Sequence, residues 1–388
     1  MNEPLTIFTS LTASYADTAE LQLSLEMLQK AFPQATWITH TLDSPLSIKE
    51  LIKKNSPAAG YVLFIKEPAM LVSEEMYPLL KKHLMKNPGI LAVMPNDPPN
   101  VLKIAAPNYY TLRGFEQFSE ALAQNDTACT VYDGRECWIF LMSAHSLAKL
   151  DLPDDPFQLL QQMPAEQITI ISKAYAHPFY NYYNETRPDI LPFVPQNIQS
   201  LLDIGCSRGG FAATVKKKFN CRVAGLEINR HEAKAAKEKL DALWIGDVLT
   251  LDIPERFDCI SCLDVLEHMP YPEKLLTKIT QWLKPDGSIL LNVPNVGFWA
   301  VVEDLLAGRW DYVPVGILCN THLRFYTQHS LQELLKSCGL TVTLLNKQII
   351  PIPDRLLTGF KHYQEAGLKI DYENLSANAF TVLAKRAQ

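Results

Sequence analysis

Residues Ser200-Leu201-Leu202-Asp203-Ile204-Gly205-Cys206-Ser207-Arg208-Gly209-Gly210-Phe211 decide the fold. Leu201, Leu202 and Ile204 read as a buried strand, and Phe211, Ala212, Ala213 and Val215 as the apolar face of the helix that follows. A buried parallel strand that enters a helix through glycines opens a doubly wound, ligand-binding sheet. Glycine suits that bend because the backbone visits positive φ and touches ligand. Asp203 closes the strand, where a carboxylate repels a diphosphate and suits a cation. The glycines at 205, 209 and 210 depart from the G-x-G-x-x-G of dinucleotide binding. Val223 to Ile228 reads as the next strand and carries Glu227, 24 residues after Asp203. An acid at that place accepts hydrogen bonds from two ribose hydroxyls.

A ribose and a cation without phosphates describe S-adenosylmethionine and not NAD. From this point the chain resembles the class I S-adenosylmethionine-dependent methyltransferases, over about residues 180–388. The resemblance runs on through Gly246-Asp247-Val248, through Phe257 to His268, and through Leu283-Lys284-Pro285-Asp286-Gly287 and Val293-Pro294-Asn295. It implies a doubly wound, seven-stranded Rossmann-like sheet closed by the antiparallel pair Thr341–Ile350 and Phe380–Lys385. It also implies a cofactor site built from Asp203, Gly205, Ser207, Gly209, Glu227, Ile228, Asp247, Val248, Leu263 and Asp264. Ser207 stands where the family usually has glycine. Tyr182 or Tyr183, in the aromatic, proline-punctuated connector 176–199, is implied as a lid over the sulfonium, which an aromatic face attracts. Packing between domains is the other reading of those tyrosines.

Residues 294–330 form a long insertion after the fifth strand, rich in aromatic and charged residues. Such loops carry substrate specificity. The segment is similar to that of methyltransferases of sugar and polysaccharide modification, and somewhat to the ubiquinone and methionine-biosynthesis relatives. Methyl transfer to a hydroxyl requires loss of a proton, so a base helps. His268 and His322 are the candidates, with Arg324 as a third catalytic residue; His322, Arg324 and Asp311 share the one insertion. For His268 the other reading is a helix cap, and for His322 a structural hydrogen bond. Arg324 can instead bind a carboxylate or phosphate.

The first 175 residues also alternate strand and helix. Leu5–Thr9, Thr36–Thr41, Gly60–Ile65, Gly89–Met94 and Cys137–Leu141 read as strands of a mostly parallel sheet. Thr18–Phe32, Glu74–Met85 and 144–150 read as helices. The layout resembles a GT-A glycosyltransferase of family 2. Where that family carries a metal-binding acidic triplet, this chain has Lys66-Glu67-Pro68. A lysine there implies that the metal site is lost, since hard cations need several oxygen ligands. An unrelated α/β accessory domain is the alternative. The domains expected are therefore 1–175, the connector 176–199, and 200–388.

The 388 residues carry a net charge of −6, which argues against nucleic acid as a main partner. No apolar run reaches membrane-spanning length. The opening Met1-Asn2-Glu3-Pro4 has no basic or apolar leader character, so a cytoplasmic protein is expected. Cys259-x-x-Cys262 lies within a strand, where residues three apart face opposite ways. It has no partner pair, so reduced thiols and no metal are expected. The function expected is S-adenosylmethionine-dependent O-methylation of a sugar or other small hydroxyl-bearing metabolite. N- or C-methylation, a quinone-type acceptor and a non-catalytic cofactor-binding module are the alternatives. The oligomeric state is not legible.

Overall fold

A computed structural model of the chain describes residues 3–11, 18–41, 44–97, 109–125, 129–134, 136–178 and 186–387. The chain divides into two compact units, Met1–Tyr180 with Asp311–Val315, and Asn181–Trp310 with Gly316–Gln388.

The strands of the first unit are β1 (Leu5–Leu11), β2 (Thr36–Thr41), β3 (Tyr61–Ile65), β4 (Met70–Val72), β5 (Ala92–Asn96), β6 (Thr130–Val131), β7 (Ile139–Ser143) and β8 (Ile168–Pro178). Their order is β2-β1-β3-β7-β5-β8-β4, with β6 beside β8. Helix Ala19–Ala31 starts where the Thr18 hydroxyl accepts from the Leu21 N–H at 3.3 Å, and it buries Leu21, Ser24 and Leu28. The sheet is mixed rather than mostly parallel. β1 is parallel to β2 and β3, but β7 runs antiparallel to both β3 and β5. The expectation failed because Ile139–Leu141 is buried whichever way it runs, and burial carries no sign of direction.

The second unit holds β9 (Ser200–Ile204), β10 (Arg222–Glu227), β11 (Ala242–Ile245), β12 (Phe257–Leu263), β13 (Leu283–Pro294), β14 (Leu340–Ile349) and β15 (Ala377–Arg386). Their order is β11-β10-β9-β12-β13-β15-β14. β9 to β13 are parallel, and β15 is antiparallel to both β13 and β14. The chain winds outward from β9 to β11 and then returns to place β12 on the other side of β9. That reversal leaves a crevice at the carboxyl ends of β9 and β12, where open sheets of this kind bind ligands. One side of the sheet packs Leu202, Ile204 and Cys262 into one core, and the other packs Leu201 and Cys259 into a second. The two cysteines thus face opposite ways within β12, and all eight thiols are free. Among the described residues no helix is long and apolar enough to cross a membrane.

Candidate functional site

The bend after β9 is built as its glycines require. Gly205 has φ +70°, and a Cβ there would lie 2.6 Å from Val265 Cγ2. Its N–H donates to the Leu226 carbonyl at 2.8 Å, which ties the bend to β10. Gly209, at φ +75°, opens helix Gly210–Phe219. Ser207 also lies in the left-handed region, at φ +46°. That conformation costs an L-residue about 1–2 kcal/mol. The Ser207 N–H donates to Glu227 Oε2 at 2.7 Å, and the Asn229 N–H to Oε1 at 2.8 Å. Loop and acid therefore hold each other. Arg208 pairs with the buried Glu232 at 2.5 Å and braces the same turn.

Asp203 and Glu227 are buried. Asp203 accepts from the Ser261 hydroxyl at 2.7 Å. Burial pushes its carboxyl up to about 7, and the nearby Glu227 charge pushes the same way; Ser261 and Arg187 oppose them. Burial also raises Glu227, against the backbone N–H groups that hold it. Two buried acids that favour their protons suit a cationic ligand, which restores their charge. Arg187, with its side chain 14% exposed, pairs with Asp264 and with Asp189 at 3.2 Å. Asp264, at φ +54°, also accepts from Asn292 Nδ2 at 2.7 Å.

Beyond β12 lies a second group. Glu267 is 1% exposed, and neither carboxylate oxygen has a hydrogen-bond partner. Its Oε1 lies 3.9 Å from Nε2 of the buried His322. His322 Nδ1 donates to the Ile317 carbonyl at 2.8 Å, which leaves Nε2 as the lone-pair nitrogen. His268 Nδ1 is 3.2 Å from the Thr321 carbonyl, and the two imidazole rings meet edge to face at 4.7 Å. The backbone fastens the insertion here, because the Leu323 and Arg324 N–H groups both donate to the Glu267 carbonyl, at 2.8 and 3.0 Å. Burial lowers His322 to about 4, helped by His268. Burial and then the Asp264 charge raise Glu267 well above the carboxylate range. His322 is thus neutral at pH 7. Donor atoms of Glu267, His268 and His322 all lie within 4.8 Å of one another. The arrangement can take a proton from a hydroxyl, and the same three donors could hold a cation. The sequence reading named both histidines but neither Glu267 nor any metal-ligand set. The buried Tyr326 hydroxyl, also without a partner, was missed too.

A family model described as a methyltransferase domain matches residues 175–345. The second unit is a class I S-adenosylmethionine-dependent methyltransferase domain. Among curated proteins, the ubiquinone biosynthesis O-methyltransferase of Pseudomonas fluorescens is 27% identical over 216 residues, half of this chain and 88% of that protein. The enzyme of the same name from Coxiella burnetii is 25% identical over 167 residues, 39% of this chain and 70% of that one. A solved S-adenosylmethionine-dependent methyltransferase from Archaeoglobus fulgidus, 17% identical, covers 54% of this chain and 98% of its own with a TM-score of 0.38, too slight a likeness to add to the topology above.

The methyltransferase domain takes S-adenosylmethionine as its cofactor, and the buried acids at the ends of β9 and β10 fit the charge of that molecule. Asp247 is exposed after β11, with Oδ1 accepting from the Leu249 N–H at 2.8 Å, and Val248 beside it is buried. Ile228 is 68% exposed. Leu263 and Asp264 are half-buried at the end of β12. Arg324 is exposed, and its guanidinium donates to the Pro270 carbonyl at 2.7 Å. Tyr182 and Tyr183 lie outside the described residues.

Proposed function

We propose that the protein methylates a hydroxyl of a sugar or another small metabolite. The observation that carries this reading is the close grouping of Glu267, His268 and His322 just past the end of β12, with the lone-pair nitrogen of His322 beside the Glu267 carboxyl. A hydroxyl is a poor nucleophile until its proton leaves, whereas an amine with a lone pair needs no such group. In this reading Glu227 takes the ribose hydroxyls and Asp203 faces the ammonium. Gly205, Ser207 and Gly209 bring backbone close to the methionine part, and Asp247 with Val248, Ile228 and Leu263 surrounds the adenine. Asp264 and Arg187 border the methionine end. His322 takes the acceptor proton, His268 assists, and Arg324 steers an anionic substituent. Tyr183 covers the sulfonium. The transfer is an in-line displacement at carbon, so alignment of acceptor and methyl supplies much of the rate.

The first unit would recognise the carbohydrate as a degenerate, GT-A-like domain whose metal-binding acids have given way to Lys66 and Glu67. A quinone-type acceptor is the second reading, favoured by the names of the relatives from Pseudomonas and Coxiella. Radiolabelled methyl transfer to parallel panels of sugars and of catechol-like phenols tests both. Label in the sugar panel supports the first reading, label in the phenols alone supports the second, and label on amine acceptors alone removes both.

A further inference from the structure

Just past the end of β12, Glu267 is 1% exposed and both of its carboxyl oxygens are without a hydrogen-bond partner. Buried polar groups are almost always paired, and two unpaired oxygens on one side chain suit a cation. A lone pair faces them. His322 Nδ1 donates to the Ile317 carbonyl at 2.8 Å, so Nε2 carries the lone pair, and that nitrogen stands 3.9 Å from Glu267 Oε1. The gap is too wide for a hydrogen bond. It is close to the separation of two ligands on one ion, since Zn–N and Zn–O bonds of about 2.0–2.2 Å put neighbouring tetrahedral ligands roughly 3.3–3.6 Å apart. His268 supplies a third ligand atom, within 4.8 Å of the other two. Ligating imidazoles commonly donate their other N–H to a backbone carbonyl, as His322 does to Ile317. The Leu323 and Arg324 N–H groups donate to the Glu267 carbonyl at 2.8 and 3.0 Å, which holds the insertion against the acid.

The donor set selects the ion. Mg²⁺ and Ca²⁺ are held by oxygen shells, whereas two imidazoles and one carboxylate suit Zn²⁺ and its transition-metal neighbours. Three protein ligands leave a fourth position open. We propose that Glu267, His268 and His322 form a binding site for one divalent transition-metal ion of the Zn²⁺ class. The site goes beyond the acceptor reading above and touches it at one atom. His322 Nε2 cannot hold a metal and a proton at once, so occupancy removes the base that the acceptor reading assigns there.

Calorimetric titration of the metal-free full chain with Zn²⁺, alongside the visible absorption of added Co²⁺, tests the site. The expected result is one tight equivalent of Zn²⁺ per chain and the d–d bands of four-coordinate Co²⁺, with no uptake of Mg²⁺ at the same concentration. Glu267→Gln, which keeps the side-chain shape, His268→Ala and His322→Ala each weaken Zn²⁺ binding at least about tenfold. All three keep their affinity for S-adenosylhomocysteine within about threefold, which shows them folded. The exposed Cys129, 3.9 Å from His83 Nδ1, is a rival ligand set, and Cys129→Ser leaves Zn²⁺ binding unchanged. No bound equivalent in the wild type, undiminished binding in the three variants, or loss of binding in Cys129→Ser overturns the site. If Zn²⁺ binds at these residues and methyl transfer keeps its rate or quickens, the assignment of His322 as base fails alone. If Zn²⁺ does not bind and His322→Ala still slows the transfer, the metal site fails alone.

Discussion

Glu267 and His322 meet with 3.9 Å between Oε1 and Nε2, both buried, although 55 positions separate them in the chain. β12 delivers the acid and the insertion after β13 delivers the imidazole. The Ile317 carbonyl fixes the tautomer, so the basic nitrogen is the one that faces Glu267.

Replacing the proposed base separates turnover from binding. His322→Ala is expected to lower kcat about 10²–10⁴-fold, the usual worth of a positioned base. Affinity for S-adenosylhomocysteine, measured by calorimetry, changes less than threefold. Burial places the His322 pKa at about 4, so the acidic limb of kcat that it controls falls near pH 4 and not near 6.5. The sign for stability follows from the same shift: the unfolded chain binds the extra proton between pH 6.5 and 4, so the folded state loses stability as pH falls through that window. In His322→Ala that part of the pH dependence of thermal melting disappears.

Asp203 acts in the opposite sense. Its folded pKa, about 7, lies above that of the unfolded chain, so the folded state holds the proton and stability falls as pH rises through this range. Without cofactor, Asp203→Asn removes that loss, and the advantage over wild type grows from pH 5 to pH 7 by at most about 1.4 kcal/mol per pH unit. Denaturant melts at the two pH values read the difference. A constant difference would show that Asp203 is ionised throughout.

Ser207 tests the strain in the cofactor bend. Its φ of +46° is one that glycine adopts freely. Ser207→Gly is expected to stabilise the domain by about 1 kcal/mol, read as a higher urea midpoint. The Ser207 N–H that Glu227 accepts is retained, so cofactor affinity stays within about twofold. A loss of stability would mean that the serine side chain supports the turn.

What the sequence made legible follows from what local patterns encode. Leu201, Leu202 and Ile204 report burial on both faces, and Asp203 and Glu227 stand within the last two residues of the strands so marked, which made them candidates without a structure. The antiparallel edge of the second sheet, β14 with β15, was legible from the family pattern. The direction of β7 was not, because an apolar run is the same read either way. Glu267 was hidden for another reason. It sits beside His268 in Asp264-Val265-Leu266-Glu267-His268, and only the return of the insertion gives it His322. An acid that follows half-buried Val265 and buried Leu266 was the one local hint. Helix Leu112–Ala123 escaped because Gly114 interrupts its first turn, although Phe115, Ser119 and Leu122 keep a buried face. Helix Gln328–Ser337 carried a usable sign, the Thr327-x-x-Ser330 capping pair.

The assignment of the cofactor acids is tested most directly by calorimetric titration with S-adenosylhomocysteine of the wild type and of the Asp203→Ala, Glu227→Ala double variant. The account predicts micromolar binding in the wild type and none detectable in the variant, with the variant still folded by circular dichroism. Equal binding by both proteins would contradict it, and the two acids would then be parts of the scaffold and not of the cofactor site.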